Sequence, residues 1–114
     1  MKGSKLLESS KQFALDVIEV YKKLSTKEYI LSKQFLRSGT SIGANIHEAY
    51  YAQSKNDFIS KLKIVLKESY ETEYWLEILN ASNYLDNNYY KSLMSSCGII
   101  RRMLVASCNT ANNN

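Results

Sequence analysis

The sequence predicts an all-α protein, an up-down-up-down antiparallel four-helix bundle, and three observations carry that prediction. Proline is absent and only four glycines occur in 114 residues, which leaves few strong breakers and favours long helices. Apolar residues recur at spacings of three and four over four stretches, the period of a helix that buries one face. The breaks between those stretches are short, so consecutive helices lie side by side and antiparallel. At 13.1 kDa the chain forms one domain with a modest core, or a subunit that completes its burial against copies of itself.

The first helix is predicted from about Ser4 to Leu24. Its apolar row is Leu6, Phe13, Val17, Val20 and Leu24, widened by Leu7, Ala14, Ile18 and Tyr21. In "STKEY", Ser25 or Thr26 is expected to cap the second helix, with Glu28 in its first turn, where the positive helix end favours an acid. Leu31, Phe35, Ser38, Ile42, Asn45, Ala49 and Ala52 then alternate at four and three, the seam spacing of a bundle helix. Ser54 opens the third helix, with Asp57 three residues later as a variant capping box. Its row is Phe58, Leu62, Val65, Ser69, Thr72, Leu76 and Leu79, and it ends near Ser82. The Asn-rich "NASNYLDNNYYKS" is the clearest break. The fourth helix takes in Tyr90, Leu93, Cys97, Ile100 and Leu104. The bundle is expected over residues 1–108, with "NTANNN", 109–114, as a frayed polar tail.

The second helix contains small and polar residues that a plain apolar core has no use for. Gly39 and Gly43 are four apart and lie one above the other on a single face, where missing side chains allow another backbone to approach. Ser38 and Asn45 sit on the same seam. A phosphate-cradling loop would need a preceding strand and a tight turn, and "KEYILSKQFLRSG" has helical periodicity instead. The glycines are therefore assigned to helix packing.

The net charge of +4 and a pI near 9.0 permit contact with nucleic acid or an acidic protein without identifying either. The charge is strongly polarised along the chain. Residues 1–67 hold 12 basic and 6 acidic side chains, residues 68–90 hold 5 acidic and no basic ones, and the remainder holds 3 basic ones. The third helix concentrates this, with Lys55, Lys61, Lys63 and Lys67 before Glu68, Glu71, Glu73 and Glu77. The helix dipole prefers the reverse order by roughly 0.3 to 1 kcal/mol per terminal charge. Two explanations stand: neighbours such as Lys67 and Glu71 compensate within the helix, or the basic end meets phosphates or an acidic partner while the acidic end meets a neighbouring subunit.

Chemistry that needs a catalytic constellation finds little support. His47 is the single histidine, so a two-histidine metal cluster is excluded, and no nucleophile, base and orienting group come together. No catalytic residue, metal or cofactor is expected. Cys97 falls on the apolar row, and Cys108, eleven residues on, is about 16 Å away along one helix, too far to bridge. No export segment or membrane span is apparent, so a reduced cytoplasmic setting is expected.

Nine tyrosines and one tryptophan are more informative. Many of them, including Tyr70, Tyr74 and Trp75, lie beside the charged segments, where amphipathic rings suit subunit interfaces. Stacking on unpaired bases is the other reading.

The stretch "LRSGTSIGANIHEAYYAQSKNDFISKLKIVLKESYETEYWL" resembles the signature of the four-helix bundle family encoded in bacterial 23S rRNA intervening sequences. Arg37, Ser41, Ile42, Ala44, Asn45, Ile46, Glu48, Ser54, Lys55, Phe58, Glu68 and Glu71 carry the resemblance. Gly43 stands where the family often has a bulkier residue or proline, and "YYAQSK" lacks the arginines common there. The resemblance implies a four-helix bundle, a ring-shaped homopentamer and no known enzymatic activity. A similar bundle, the accessory variability determinant of diversity-generating retroelements, is a basic pentamer associated with reverse transcriptase and nucleic acid.

The functional expectation is a non-catalytic oligomeric scaffold or binding module. Arg37, Lys55, Lys61, Lys63 and Lys67 are its candidates for RNA or DNA phosphates. Tyr70, Tyr74, Trp75, Glu68, Glu71 and Glu73 are its candidates for the oligomer interface. The alternative is a protein-only adaptor whose lysines solvate the bundle.

Overall fold

A computed structural model describes residues 4–113. The first three residues of the expected bundle and the last residue of the expected tail lie outside the described residues. Four helices follow one another: α1 (Ser4–Leu24), α2 (Ile30–Ala49), α3 (Lys55–Ala81) and α4 (Asn87–Asn113). Each connection is five residues long, too short for a crossover, so every helix runs antiparallel to the one before it. The helices enclose a square in which α1 packs on α2, α2 on α3, α3 on α4, and α4 returns to α1. The α1–α4 seam is the sparsest of the four. The whole is a rod of 46 × 21 × 20 Å, its long dimension set by 27-residue helices of about 40 Å.

The core follows the predicted rows closely. Leu6, Phe13, Val17, Val20 and Leu24 of α1 are all buried, as are Leu62, Val65, Leu76 and Leu79 of α3 and Leu93, Cys97, Ile100 and Leu104 of α4. Cys108 extends the last row, and both thiols are free. Burial pushes the Cys97 thiol up to about 12, with the nearby Glu73 charge adding to the effect.

Three local expectations differ from what the chain does. Ser25 and Thr26 do not cap α2; their hydroxyls donate back to the carbonyls of Lys22 and Lys23 at 3.5 and 2.9 Å, closing the end of α1. The cap comes from Glu28, whose Oε2 accepts from the amides of Leu31 and Ser32 at 2.5 and 3.4 Å. A longer side chain reaches the first turn from just outside it, and its negative charge suits the positive helix end. At the other end α2 stops at Ala49, so Ala52 lies in the connection. The third difference is that residues 109–113, expected as tail, continue α4.

The register of α2 also shifts. Ser32, Phe35, Ser38, Gly39, Ile42, Ile46 and Ala49 are its buried set, and Asn45 is half-buried, donating to its own helix at the Ser41 carbonyl, 2.9 Å away. A straight helix of 3.6 residues per turn drifts from a strict seven-residue repeat, so by the fifth turn Ile46 has taken the inward position. In α3 the first buried position is Ile59, and Phe58 is half-buried, stacked on Tyr50 at 5.8 Å between ring centres.

The small residues of α2 let α1 come close. A Cβ built on Gly43 would lie 3.2 Å from the Ser10 carbonyl oxygen, and one on Gly39 would lie 2.9 Å from Val17 Cγ2. Across the α2–α3 seam the Ser38 and Thr72 hydroxyls bond one another at 2.9 Å, fully buried. Thr72 also reaches the Glu68 carbonyl at 2.8 Å. At the end of α3, Asn83 adopts a left-handed conformation (φ 68°). The Tyr84 amide then returns to the Leu79 carbonyl at 3.0 Å and the Asn83 amide to Asn80 at 3.0 Å, a Schellman closure with Asn in the position that usually favours Gly.

Candidate functional site

The basic half of α3 begins at a well-formed cap. Ser54 Oγ accepts from the Asp57 amide at 3.1 Å, and Asp57 Oδ2 accepts from the Gln53 amide at 3.2 Å. Asp57 also engages Lys61, with Nζ 3.4 Å from Oδ1. Lys55, Lys63 and Lys67 are exposed and have no ion pair among the described residues. The i,i+4 pair between Lys67 and Glu71 does not form, because Glu71 turns to another helix.

That other partner is Arg37 of α2, which ion-pairs with both Glu71 and, at 3.5 Å, Glu68. Glu71 Oε2 also accepts from Trp75 Nε1 at 2.9 Å. The Glu68 Oε2 atom is buried without a hydrogen bond, so the Arg37 guanidinium is what offsets its burial. On the opposite flank of α3, Arg101 Nε donates to Glu73 Oε2 at 2.8 Å, and its guanidinium stands 5.4 Å from the centre of the Tyr70 ring. Of the candidates for phosphate contact, then, Arg37 and Lys61 face carboxylates of the same chain, and Lys55, Lys63 and Lys67 face outward. Of the interface candidates, Glu68, Glu71 and Glu73 each meet an arginine of a neighbouring helix. Trp75 is half-buried against Tyr74, edge to face at 5.1 Å.

Tyr70 and Tyr74 stay about half exposed, at 54% and 53%. With Lys63 and Lys67 they are spaced at four, three and four residues, so all four lie on one outward line of α3. The line passes from ammonium groups to phenol rings along one rod edge. Ser38 and the two glycines lie within the α2 seams described above, and Asn45 lies at their margin.

His47 is exposed and sits 5.4 Å from the Tyr51 ring. No group of three or more potential metal ligands occurs among the described residues, and no helix among them is long and apolar enough to cross a membrane.

A second basic cluster escaped the sequence reading. Lys23 Nζ hydrogen-bonds the Tyr89 hydroxyl and lies 4.9 Å from that ring's centre, joining the last turn of α1 to the first turn of α4. The Tyr89 hydrogen bond holds the Lys23 ammonium above its ordinary pKa. Lys27 stands nearby on the α1–α2 connection, and with Lys23 and Tyr89 it lines a cavity at this end of the bundle. These three residues come from two segments some sixty positions apart, and no local spacing announces them.

Fold and surface together define a small all-α four-helix bundle whose charged side chains divide into inter-helix locks and outward lysines. The chain belongs to the 23S rRNA-intervening sequence protein family, which it matches over residues 2–106. It is also similar to a crystallised protein with unknown function from the S23 ribosomal protein family of Bacteroides thetaiotaomicron. The two share 46% identity and a TM-score of 0.92, over 96% of this chain and 99% of that one. No curated protein matches the chain in sequence.

Proposed function

We propose that this protein is a non-catalytic, self-associating binding module that engages nucleic-acid phosphates through the basic half of α3. The observation that carries the reading is that Lys55, Lys63 and Lys67 are exposed with no ion pair among the described residues, while nearby acids are matched to Arg37, Arg101 and Lys61. Three ammonium groups per chain make a weak contact alone. Copies arranged in a ring, as the family resemblance implies for a homopentamer, would place such contacts on one surface where they act together. Tyr70 and Tyr74 are the residues expected to bury against the adjacent subunit.

A protein-only adaptor is the second reading, favoured by the engagement of Arg37 and Lys61 inside the chain, which leaves a modest cationic surface. Fluorescence anisotropy with structured RNA, single-stranded DNA and duplex DNA separates the two. Binding is expected to fall steeply between about 50 and 200 mM salt, since each neutralised phosphate releases counterions. Changing Lys55, Lys63 and Lys67 together to Gln should abolish most of the affinity with assembly intact. No binding at about 50 mM salt, or affinity unchanged by the substitutions, establishes the adaptor reading instead. Light scattering checks the assembly, and a 13.1 kDa particle at micromolar concentration would exclude it.

A further inference from the structure

At the end of the bundle where α1 stops and the α3–α4 connection turns, the fold forms a half-open cavity of about 240 Å³. Its floor is aliphatic, made by Val20, Leu24 and Leu85, all buried. Its rim carries two ammonium groups, Lys23 and Lys27, and two phenols, Tyr84 and Tyr89. Asp86 completes the wall.

These walls are fixed before any ligand arrives. The left-handed Asn83 and its Schellman closure set the path of the connection, and Asn80 Nδ2 ties it down by donating to the Leu85 carbonyl at 3.1 Å and to Asn87 Oδ1 at 2.9 Å. Asp86 Oδ1 accepts from the Tyr89 amide at 3.0 Å, which orients the first turn of α4. Lys23 holds the Tyr89 ring by its hydroxyl. A preformed site loses less ordering entropy on binding than one that must assemble.

We propose that this end cavity binds one nucleotide unit, with its base on the aliphatic floor beside Tyr84 and Tyr89 and its phosphate on Lys23 and Lys27. An apolar floor with aromatic walls accepts a planar ring. Two cations at the open rim accept an anion, and Lys27 has no ion pair or hydrogen bond of its side chain among the described residues. The Asp86 carboxylate, with one oxygen on the Tyr89 amide, keeps acceptor capacity for an amino or hydroxyl group of the ligand. The volume lies below the roughly 300 to 1,000 Å³ of sites for larger ligands, which limits occupancy to a single base. The cavity is at the far end of α3 from Lys55, about 40 Å along the helix, and stands apart from the phosphate contacts proposed there.

The chemistry is shared by a free mononucleotide and by an unpaired nucleotide within a strand. The test follows the tyrosine ring signals of the full chain by NMR during titration with adenosine 5′-monophosphate, with inorganic phosphate, and with a short single-stranded oligonucleotide lacking terminal phosphates. Adenosine monophosphate should saturate and shift Tyr84 and Tyr89 at a concentration about tenfold below that required for phosphate, because stacking adds to the charge contact. Lys27→Gln and Tyr84→Leu, both at exposed positions that leave the core unchanged, should each weaken it at least about threefold. Shifts of the same rings by the oligonucleotide assign the site to a strand, and shifts by the mononucleotide alone assign it to free nucleotide. The proposal is overturned if phosphate does as well as adenosine monophosphate, if either substitution leaves that affinity unchanged, or if neither nucleotide ligand moves these signals at about 10 mM.

Discussion

The two halves of α3 share one helix and differ in where their charges go. From Lys55 to Lys67, one of four lysines finds an acid among the described residues, and it does so on its own helix. From Glu68 to Ala81, three glutamates reach arginines on α2 and α4, and the buried hydroxyls of Ser69 and Thr72 sit between them. The second half is therefore tied sideways into the bundle, and the first half is attached mainly by its apolar row. Charge order along a helix that the macrodipole disfavours is tolerated when the acids are neutralised by neighbours and the lysines are left to solvent or to a partner.

Hollowing the core under each half in turn should produce the largest difference between them. Leu76→Ala should cost about 3 to 5 kcal/mol in denaturant unfolding, and Ile59→Ala should cost less, about 2 to 3 kcal/mol, because Ile59 lies at the looser end and is not fully enclosed. Equal losses would mean that both halves are held alike.

Alkaline unfolding probes the tied half next, through the Cys97 thiol that meets the Ser69 carbonyl at 3.5 Å. Burial raises this thiol from 9.0 to about 12 in the folded chain. Below about pH 9 both states hold the proton and the full stability is present; between about 9 and 12 the unfolded thiol ionises first, so stability is lost as pH rises. Cys97→Ser should flatten that part of the stability profile, and a thiol reagent near pH 8 should modify Cys97 only at the rate of opening.

Arg37→Ala should destabilise by about 1 to 2 kcal/mol. The guanidinium is half exposed, which weakens its ion pairs, but its loss leaves the buried Glu68 Oε2 uncompensated. The smallest effects belong to the other half: Lys63→Gln and Lys67→Gln should each change stability by no more than about 0.5 kcal/mol. A thermal scan of the three variants side by side would sharpen the contrast, and a lysine variant as costly as the arginine one would erase it.

Most of the fold was legible because burial in α1, α3 and α4 follows residue types at helical spacing. The Ser54 cap was legible for the same local reason. The start of α2 was not, since Ser25, Thr26 and Glu28 are all competent caps and only the end of α1 decides that the two hydroxyls turn backward. The exchange of Asn45 for Ile46 on the seam reflects helical drift that a seven-residue template hides. The site was less legible than the fold. The lysines could be listed from composition, but whether Arg37 faces solvent or Glu68 depends on which helices are neighbours. The end cavity joins Lys23 and Lys27 to Tyr84 and Tyr89, and nothing in either segment alone points to the other.

The sparse α1–α4 seam has a consequence for how the bundle assembles and breathes. Every other seam joins helices consecutive in the chain, so each can form as a local hairpin with a short loop to close. Joining α1 to α4 requires bringing together elements separated by both α2 and α3, at the largest closure entropy, with the fewest contacts in return. That seam should be the last to form and the first to open, giving α1 and α4 lower amide protection on their facing sides than α2 and α3 have. A bundle hinged in this way can expose Phe13 and Ile100 briefly without unfolding its α2–α3 half.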